Sequence, residues 1–382
     1  MGFHEFSSPY DWSRIATYKR TAKAAFGGMI DLSVGSPVDP VPDSVRKALA
    51  VAANDPNAYG YPVTAGTADL RAAIAEWFSV TRNVDLQAIH ADVVPTVGSK
   101  EGVALMASLL HFGEDDVVVQ PKVSYPTYEI GTQLAGAKVL KVDDVADVAS
   151  WRNVPGVKAV WVNSPCNPTG EVYSAERMAG IVAAAREIGA VVLSDECYAL
   201  MQWRGATNSA DGDPLQSTPC ALRSDVCAGS AEGVLVLYSL SKQSNMAGYR
   251  TAFIAGDEFL IASMSAYRKQ IGQIIPGPVQ AAMAAGLRDL ESVKVQHARY
   301  RERLGVLVSA LRAYGYCTDM PDGALYVWVR AKSGDCWTDM EQLAKIGIIA
   351  SPGEFYGAPE CLRFSATASD EAIASAAERL AR

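Results

Sequence analysis

Between about residue 90 and residue 256 the chain alternates two hydrophobic patterns. One is a short, nearly unbroken apolar run: ADVVPTV (91–97), DDVVVQ (115–120), VKAVWVN (157–163), AVVLSD (190–195), GVLVLYSL (233–240) and TAFIAG (251–256). The other is helical spacing, as in SAERMAGIVAAAREIG (174–189) and SKEGVALMASLLH (99–111), where Val103, Met106, Leu109 and Leu110 fall three or four apart. Continuous apolar runs predict strands buried on both faces, and the helices between them predict a mostly parallel sheet. Outside that block the pattern changes. Residues 1–40 carry no long periodic element, whereas 281–382 open with a long helical stretch and pass into strand-like GALYVWV (323–329) and CLRFSAT (361–367). The expected architecture is a large α/β domain, residues 41–280, beside a smaller α+β domain built from 1–40 and 281–382.

Composition narrows the function without naming it. The 382 residues are 49% hydrophobic and 20% charged, as in an ordinary globular protein. The net charge is −8, and the densest basic cluster, ARYRERL (298–304), reads as the solvated face of a helix. Neither nucleic acid nor an anionic membrane is expected as a partner. The N-terminus, MGFHEFSSPYDWSR, has acidic and polar residues where a secretory leader needs an apolar stretch, and no uncharged run is long enough to span a bilayer. Seven cysteines include no CxxC pair, and His4, His90, His111 and His297 lie far apart. The expectation is a reduced, cytoplasmic protein without a disulfide framework or a metal site.

The unusual residues cluster at predicted strand ends, where open α/β sheets bind ligands. Asp195 closes AVVLSD, and Tyr198 follows three residues later. Asp195 reads either as a helix cap or as a buried carboxylate facing a cationic heterocycle. NSPCNPTG (163–170) reads as a turn, yet it directly follows a strand and presents Asn167 to the same crevice. TVGSKEG (96–102) leads from a strand into a helix whose free N–H groups suit a phosphate, although such junctions are common. GxGxxG and GxxxxGK[ST] are both absent, which argues against dinucleotides and nucleoside triphosphates. SLSKQSNMAGYR (239–250) then places Ser239 and Arg250, both able to bind a phosphate monoester, on either side of Lys242. A lysine desolvated at a strand end has a lowered pKa and can form a Schiff base. A phosphate cup, a carboxylate for a ring nitrogen, hydrogen-bond donors for a phenolate and an amine for an aldehyde together describe pyridoxal 5′-phosphate.

Ten stretches, in order, carry a resemblance to a known family: LSVGSPVDP (32–40), YGYPVTAGTADLRAAI (59–74), VGSKEG (97–102), SYPTYE (124–129), NPTG (167–170), SDECY (194–198), SLSK…GYR (239–250), GALYVW (323–328), PGEFYG (352–357) and LRFS (362–365). The chain resembles the fold-type I, class I/II aminotransferases almost end to end. That resemblance implies an aminotransferase-like fold and a role for each matching residue. Lys242 bonds the cofactor and then shuttles a proton. Asp195 holds the pyridine nitrogen protonated, and Asn167 and Tyr198 hydrogen-bond the phenolate oxygen. Tyr125 stacks on the ring, while Ser99, Lys100, Ser239 and Arg250 hold the phosphate. Arg363 forks onto the substrate α-carboxylate, with Gly35 supplying a backbone donor. Tyr61 resembles a tyrosine that reaches the neighbouring subunit's phosphate, which implies a homodimer. Ser244 and Ala252 depart from the commoner aromatic and glycine, without loss of a functional group.

Several reactions share this scaffold. The wording of LSVGSPVDPVP, GYPVTAGTADLR, VNSPCNPTG and SLSKQSNMAGYR is closest to bacterial N-succinyldiaminopimelate aminotransferases of lysine biosynthesis. The implied substrates are glutamate and a succinylated 2-amino-6-oxopimelate, with 2-oxoglutarate as a product. An aspartate or other amino-acid transaminase would share every residue named, and a C–S lyase would share the cofactor site. A cofactor-sensing regulator fits less well, because no DNA-binding module precedes the domain and Lys242, Asp195 and Arg363 are all retained.

Overall fold

A computed structural model describes residues 10–203 and 218–382. His4 and most of the N-terminal stretch read against a leader lie outside the described residues. Strands are numbered here in chain order. The main sheet contains β2 (Ala91–Val97), β3 (Val117–Pro121), β4 (Lys138–Val142), β5 (Val157–Asn163), β6 (Val191–Asp195), β7 (Val234–Ser239) and β8 (Thr251–Asp257). Their spatial order is β2-β8-β7-β6-β5-β3-β4, and only β8 runs against its neighbours. An antiparallel sheet orders β11 (Ser351–Pro352), β12 (Cys361–Ser365) and β9 (Tyr326–Arg330), and β1 (Ile30–Asp31) pairs in parallel with β10 (Ile348–Ile349). This is the mostly parallel α/β architecture expected.

The six apolar runs become six of the seven main strands because helices cover both faces of the sheet. All six residues of β7 are buried. On one face Trp77 and Phe78 of the helix Ala68–Arg82 pack on Tyr238 and Phe253, with the Trp77 and Tyr238 ring centroids 4.2 Å apart. On the other face Val103 and Met106 meet Tyr128 and Trp161. The sequence pattern missed β4, since KVLKV lies at the sheet edge and buries only its last residue. An edge strand wetted along most of its length has no continuous apolar run to detect.

A separate buried cluster gathers Tyr300, Leu304, Leu307, Tyr326 and Phe364 around the helix Leu290–Ala313 and the antiparallel sheet. One expectation needs correction there. ARYRERL is a solvated face only in part: Ala298, Arg301 and Glu302 are exposed, but Tyr300 and Leu304 are fully buried, and Arg303, only 2% exposed, forks onto Asp39 at 2.7 and 2.8 Å and reaches Asp370 at 2.6 Å. Paired charges let a basic cluster enter the interior. Residues 1–40 carry no long periodic element, as expected; their helix, Ala16–Ala24, is 9 residues long and buries only Ala22. No helix among the described residues is long and apolar enough to cross a membrane.

Because β2, β5, β6 and β7 point the same way, their carboxyl ends form one edge of the sheet. The register aligns Asn163 with Asp195, Asp195 with Leu237, Ser239 with Ala252 and Val97 with Thr251. Just beyond β6, Glu196 forms an ion pair with Arg82 at 2.9 Å, both side chains nearly inaccessible. Glu196 also accepts from Ser194 Oγ at 3.0 Å and Ala221 N at 2.8 Å, while Arg82 donates to the Pro219 carbonyl at 2.8 Å. The pair pins the chain after β6 to the helix Ala68–Arg82. Arg82→Leu should cost about 3–5 kcal/mol, because it strands the Glu196 carboxylate. Thermal melts of the apoprotein should show that loss, and Arg82→Leu with Glu196→Leu should recover much of it. A change under about 1 kcal/mol in the single variant contradicts this account.

Candidate active site

A cavity of about 280 Å³ opens at the aligned strand ends. Asp195 forms part of its floor, only 6% exposed. Its Oδ2 accepts from the Tyr128 hydroxyl at 2.7 Å and its Oδ1 from the Cys197 N–H at 3.1 Å. Burial raises its pKa above the ordinary 3.8, opposed in part by these hydrogen bonds. Tyr128 is held by stacking on Trp161, centroids 4.5 Å apart. Among the described residues no cation pairs with Asp195. It is a carboxylate in place for a positive charge that the chain itself does not provide.

Lys242 follows β7 on the short helical turn Leu240–Gln243, whose cap is Ser239. Ser239 Oγ accepts from Ser241 N at 3.1 Å and donates to the Thr251 carbonyl at 3.1 Å, tying the end of β7 to the start of β8. The Lys242 ammonium donates to the Gly35 carbonyl. Lys242 keeps some accessible surface toward the cavity, yet enough protein surrounds the ammonium for desolvation to lower its pKa, with Arg363 and Arg250 pushing the same way. Gly35 has no alternative at its position, because a Cβ there would collide with the Tyr326 hydroxyl.

The helix Ser99–Leu109 aims its N-terminus at the cavity, with Ser99 and Lys100 in its first turn. Gly98 precedes it at φ +80°, and a Cβ there would collide with the Arg250 guanidinium. Arg250 itself sits in the left-handed region at φ 58°, uncommon for a non-glycine residue, and its Nη1 donates to the Ala247 carbonyl at 2.9 Å. Free amide groups, a hydroxyl and a guanidinium thus converge on one corner, as an anionic group requires.

Arg363, 4% exposed, enters the cavity from β12. Its Nη1 donates to Asn167 Oδ1 at 2.7 Å and its Nη2 to the Ser33 carbonyl at 2.8 Å, while buried Nε has no hydrogen-bond partner. The guanidinium lies 4.0 Å from the Tyr326 ring centroid and 4.7 Å from that of Tyr356. Asn167 is positioned through its backbone N–H, 2.8 Å from Asn163 Oδ1. The Tyr198 hydroxyl is 2.7 Å from that of Tyr326, and burial raises the Tyr198 phenol well above its usual pKa. Tyr125 lines the cavity beside Tyr128, edge to face at 5.7 Å.

The structure therefore gathers Gly35, Ser99, Lys100, Tyr125, Asn167, Asp195, Tyr198, Ser239, Lys242, Arg250 and Arg363 around one cavity. Tyr61 is not among its lining residues and is fully exposed. Sequence reasoning passed over Tyr128, Asn163, Tyr326 and Tyr356. All four stand inside quoted motifs, where a hydroxyl or amide beside a recognised group was the available signal. Tyr10 and Trp12 also line the cavity, from a stretch without periodic signal.

The family profile for class I and II aminotransferases matches residues 27–380. The chain is a class I and II aminotransferase. A 4-dedimethylamino-4-oxo-anhydrotetracycline transaminase of Streptomyces rimosus, OxyQ, is 40% identical over 97% of this chain and 98% of its own. A probable aminotransferase of Mycobacterium tuberculosis is 39% identical over 97% and 84%. The solved structure of a probable N-succinyldiaminopimelate aminotransferase from Thermus thermophilus superimposes with a TM-score of 0.84 at 27% identity, covering 98% of this chain and 99% of that one.

Aminotransferases of this family depend on pyridoxal 5′-phosphate, and the residues here fit that group. The unpaired carboxylate suits a pyridinium, the anion-binding corner suits a phosphate, and the desolvated lysine suits an aldehyde. Asp195 also makes the empty apoprotein pH-sensitive. The folded state holds its proton to higher pH than the unfolded chain, so stability falls as pH rises from 3.8 through the raised value. Asp195→Asn should remove that loss, leaving the apoprotein at least as stable as wild type near neutral pH while turnover with cofactor collapses. Melts of both apoproteins across pH, beside a single-turnover assay with glutamate, check this. Near wild-type turnover would reduce Asp195 to a helix cap.

Proposed function

We propose that this aminotransferase moves the amino group of glutamate to N-succinyl-L-2-amino-6-oxopimelate, giving N-succinyl-LL-2,6-diaminopimelate and 2-oxoglutarate, as a cytoplasmic homodimer. The observation that carries the transamination is that Lys242, Asp195 and Arg363 line one cavity. Two features support the succinylated substrate: the wording of the motifs and the likeness to the Thermus thermophilus protein, a probable N-succinyldiaminopimelate aminotransferase. Tyr10, Trp12 and Ser36 also line the cavity, polar and aromatic groups that suit a long acceptor with distal carboxylates.

In this reading Ser99, Lys100, Ser239 and Arg250 hold the cofactor phosphate, Tyr125 packs on the ring, and Asn167 and Tyr198 direct hydrogen bonds to its phenolate oxygen. The cofactor, when bound, supplies an electron sink for the bond broken at the substrate α-carbon. Asp195 keeps the ring nitrogen protonated, supported from behind by Tyr128. Lys242, whose pKa desolvation lowers, would take the α-proton at Nζ and release it again from that atom. Arg363 grips the α-carboxylate of each substrate in turn, in an orientation fixed by Asn167 and the Ser33 carbonyl. Residues 41–280 form the cofactor domain, and 1–40 with 281–382 the smaller one; the separate core around the helix Leu290–Ala313 supports two units, while Met283, Leu287 and Val293 pack in the first core and Met201 and Trp203 in the second. Exposed Tyr59, Tyr61 and Val63 suit a dimer contact in which Tyr61 completes the partner's phosphate site.

A second reading has its own observation. The Streptomyces relative, 40% identical, is named for an oxo-anhydrotetracycline, so a bulky polycyclic acceptor belongs in any substrate panel. Assays of oxo acceptors with glutamate should show the succinylated compound with the highest kcat/KM, and a preference for another acceptor overturns the specific assignment. Arg363→Lys keeps the charge but loses the fork. It should lower kcat/KM about 100-fold or more for both glutamate and the acceptor, since alignment over the ring depends on that grip. Impairment of one substrate alone would place Arg363 in a distal pocket.

A further inference from the structure

The first turn of the helix Ser99–Leu109 carries the amides proposed to hold the phosphate, and a buried charge pair fixes that turn from behind. Glu101 Oε2 accepts from the Val97 N–H at 3.1 Å. The same carboxylate receives a fork from Arg268, at 2.8 Å from Nη1 to Oε1 and 3.1 Å from Nη2 to Oε2. The Arg268 side chain is fully buried, and that of Glu101 is 16% exposed. Arg268 comes from the helix Glu258–Gln270, which follows β8 directly.

Val97 is also where the phosphate arginine attaches. Its carbonyl accepts from Arg250 Nη2 at 3.4 Å, and Val97 pairs in register with Thr251, the residue after Arg250. One strand end is thus held through its N–H by Glu101 and through its C=O by Arg250. Gly98 between them sits at φ +80°, a conformation that side chains rarely adopt, with the Arg250 guanidinium packed where its Cβ would be. Stability is a weak reason for such a pair. Apolar residues of similar volume are often as stabilising as a buried ion pair, and Arg268 Nε has no hydrogen-bond partner. A bidentate fork does fix position and angle.

We propose that Glu101 and Arg268 are positioning residues for the cofactor phosphate, setting the Ser99 and Lys100 amides and the Arg250 guanidinium in one geometry. The inference rests on the assignment of the phosphate to that corner. It predicts an effect on the phosphate and none on the ring. Equilibrium binding of pyridoxal 5′-phosphate and of pyridoxal, which lacks the phosphate, to the apoprotein separates the two.

Glu101→Ala should weaken pyridoxal 5′-phosphate about tenfold or more and leave pyridoxal within about twofold, the larger change being what loss of one well-formed charged contact gives. Arg268→Met should act in the same direction. Glu101→Gln, which keeps an acceptor for Val97 N–H, should restore part of the loss and serves where the alanine variant does not fold. Equal weakening of both ligands, or of neither, overturns the proposal. Arg250→Gln reports on the corner itself. A phosphate-selective loss there without one in the Glu101 variants rejects the positioning role alone. No selective loss in Arg250→Gln rejects the phosphate assignment, and the positioning role with it.

Discussion

Lys242 and Asp195 both leave bulk water at the same edge of one sheet, and among the described residues no ion pair joins them. Opposite charges drawn out of water at one sheet edge would gain from meeting, because each pays a desolvation cost that contact offsets. Here the backbone keeps them apart. Asp195 is fixed by Tyr128 and the Cys197 amide on β6, and Lys242 is turned toward Gly35 beyond β7. The result is a lysine biased to its neutral form and an aspartate short of a cation. A ligand that brings a pyridinium to one and an electrophile to the other relieves both.

That separation depends on stiffness around it. Aromatic packing fixes Tyr128 against Trp161, and the Arg82–Glu196 pair holds the chain just after Asp195. Arg363 arrives from a different sheet and is tied to Asn167 and Ser33, so three distant parts of the chain converge on one guanidinium. The fork from Arg303 to Asp39 anchors the stretch that carries Ser33 and Gly35. Charges that look dispersed along the sequence are therefore structural joints of the cavity wall.

The six buried strands and the residues at their ends were legible because the signals are local: an apolar run, then a polar residue where the strand stops. Lys242, Asp195 and Asn167 were found in that way. Arg363 and Tyr125 were found by resemblance, since nothing near them in sequence indicates a shared cavity. Arg303 was misjudged because its partners, Asp39 and Asp370, lie far from it in sequence. Tyr128 and Tyr326 were missed for the same reason: each acts through a residue on another element, 67 and 128 positions away. Edge strand β4 escaped notice because an edge can stay polar. Local pattern reports what is buried, but not which buried groups meet.

The central claim is that one desolvated amine, Lys242, carries the cofactor. Borohydride reduction of the holoenzyme followed by peptide mapping tests it most directly. The cofactor should remain covalently attached through denaturation, on the peptide containing Lys242 and at Nζ of that residue. Attachment to any other lysine, or none, would contradict the account.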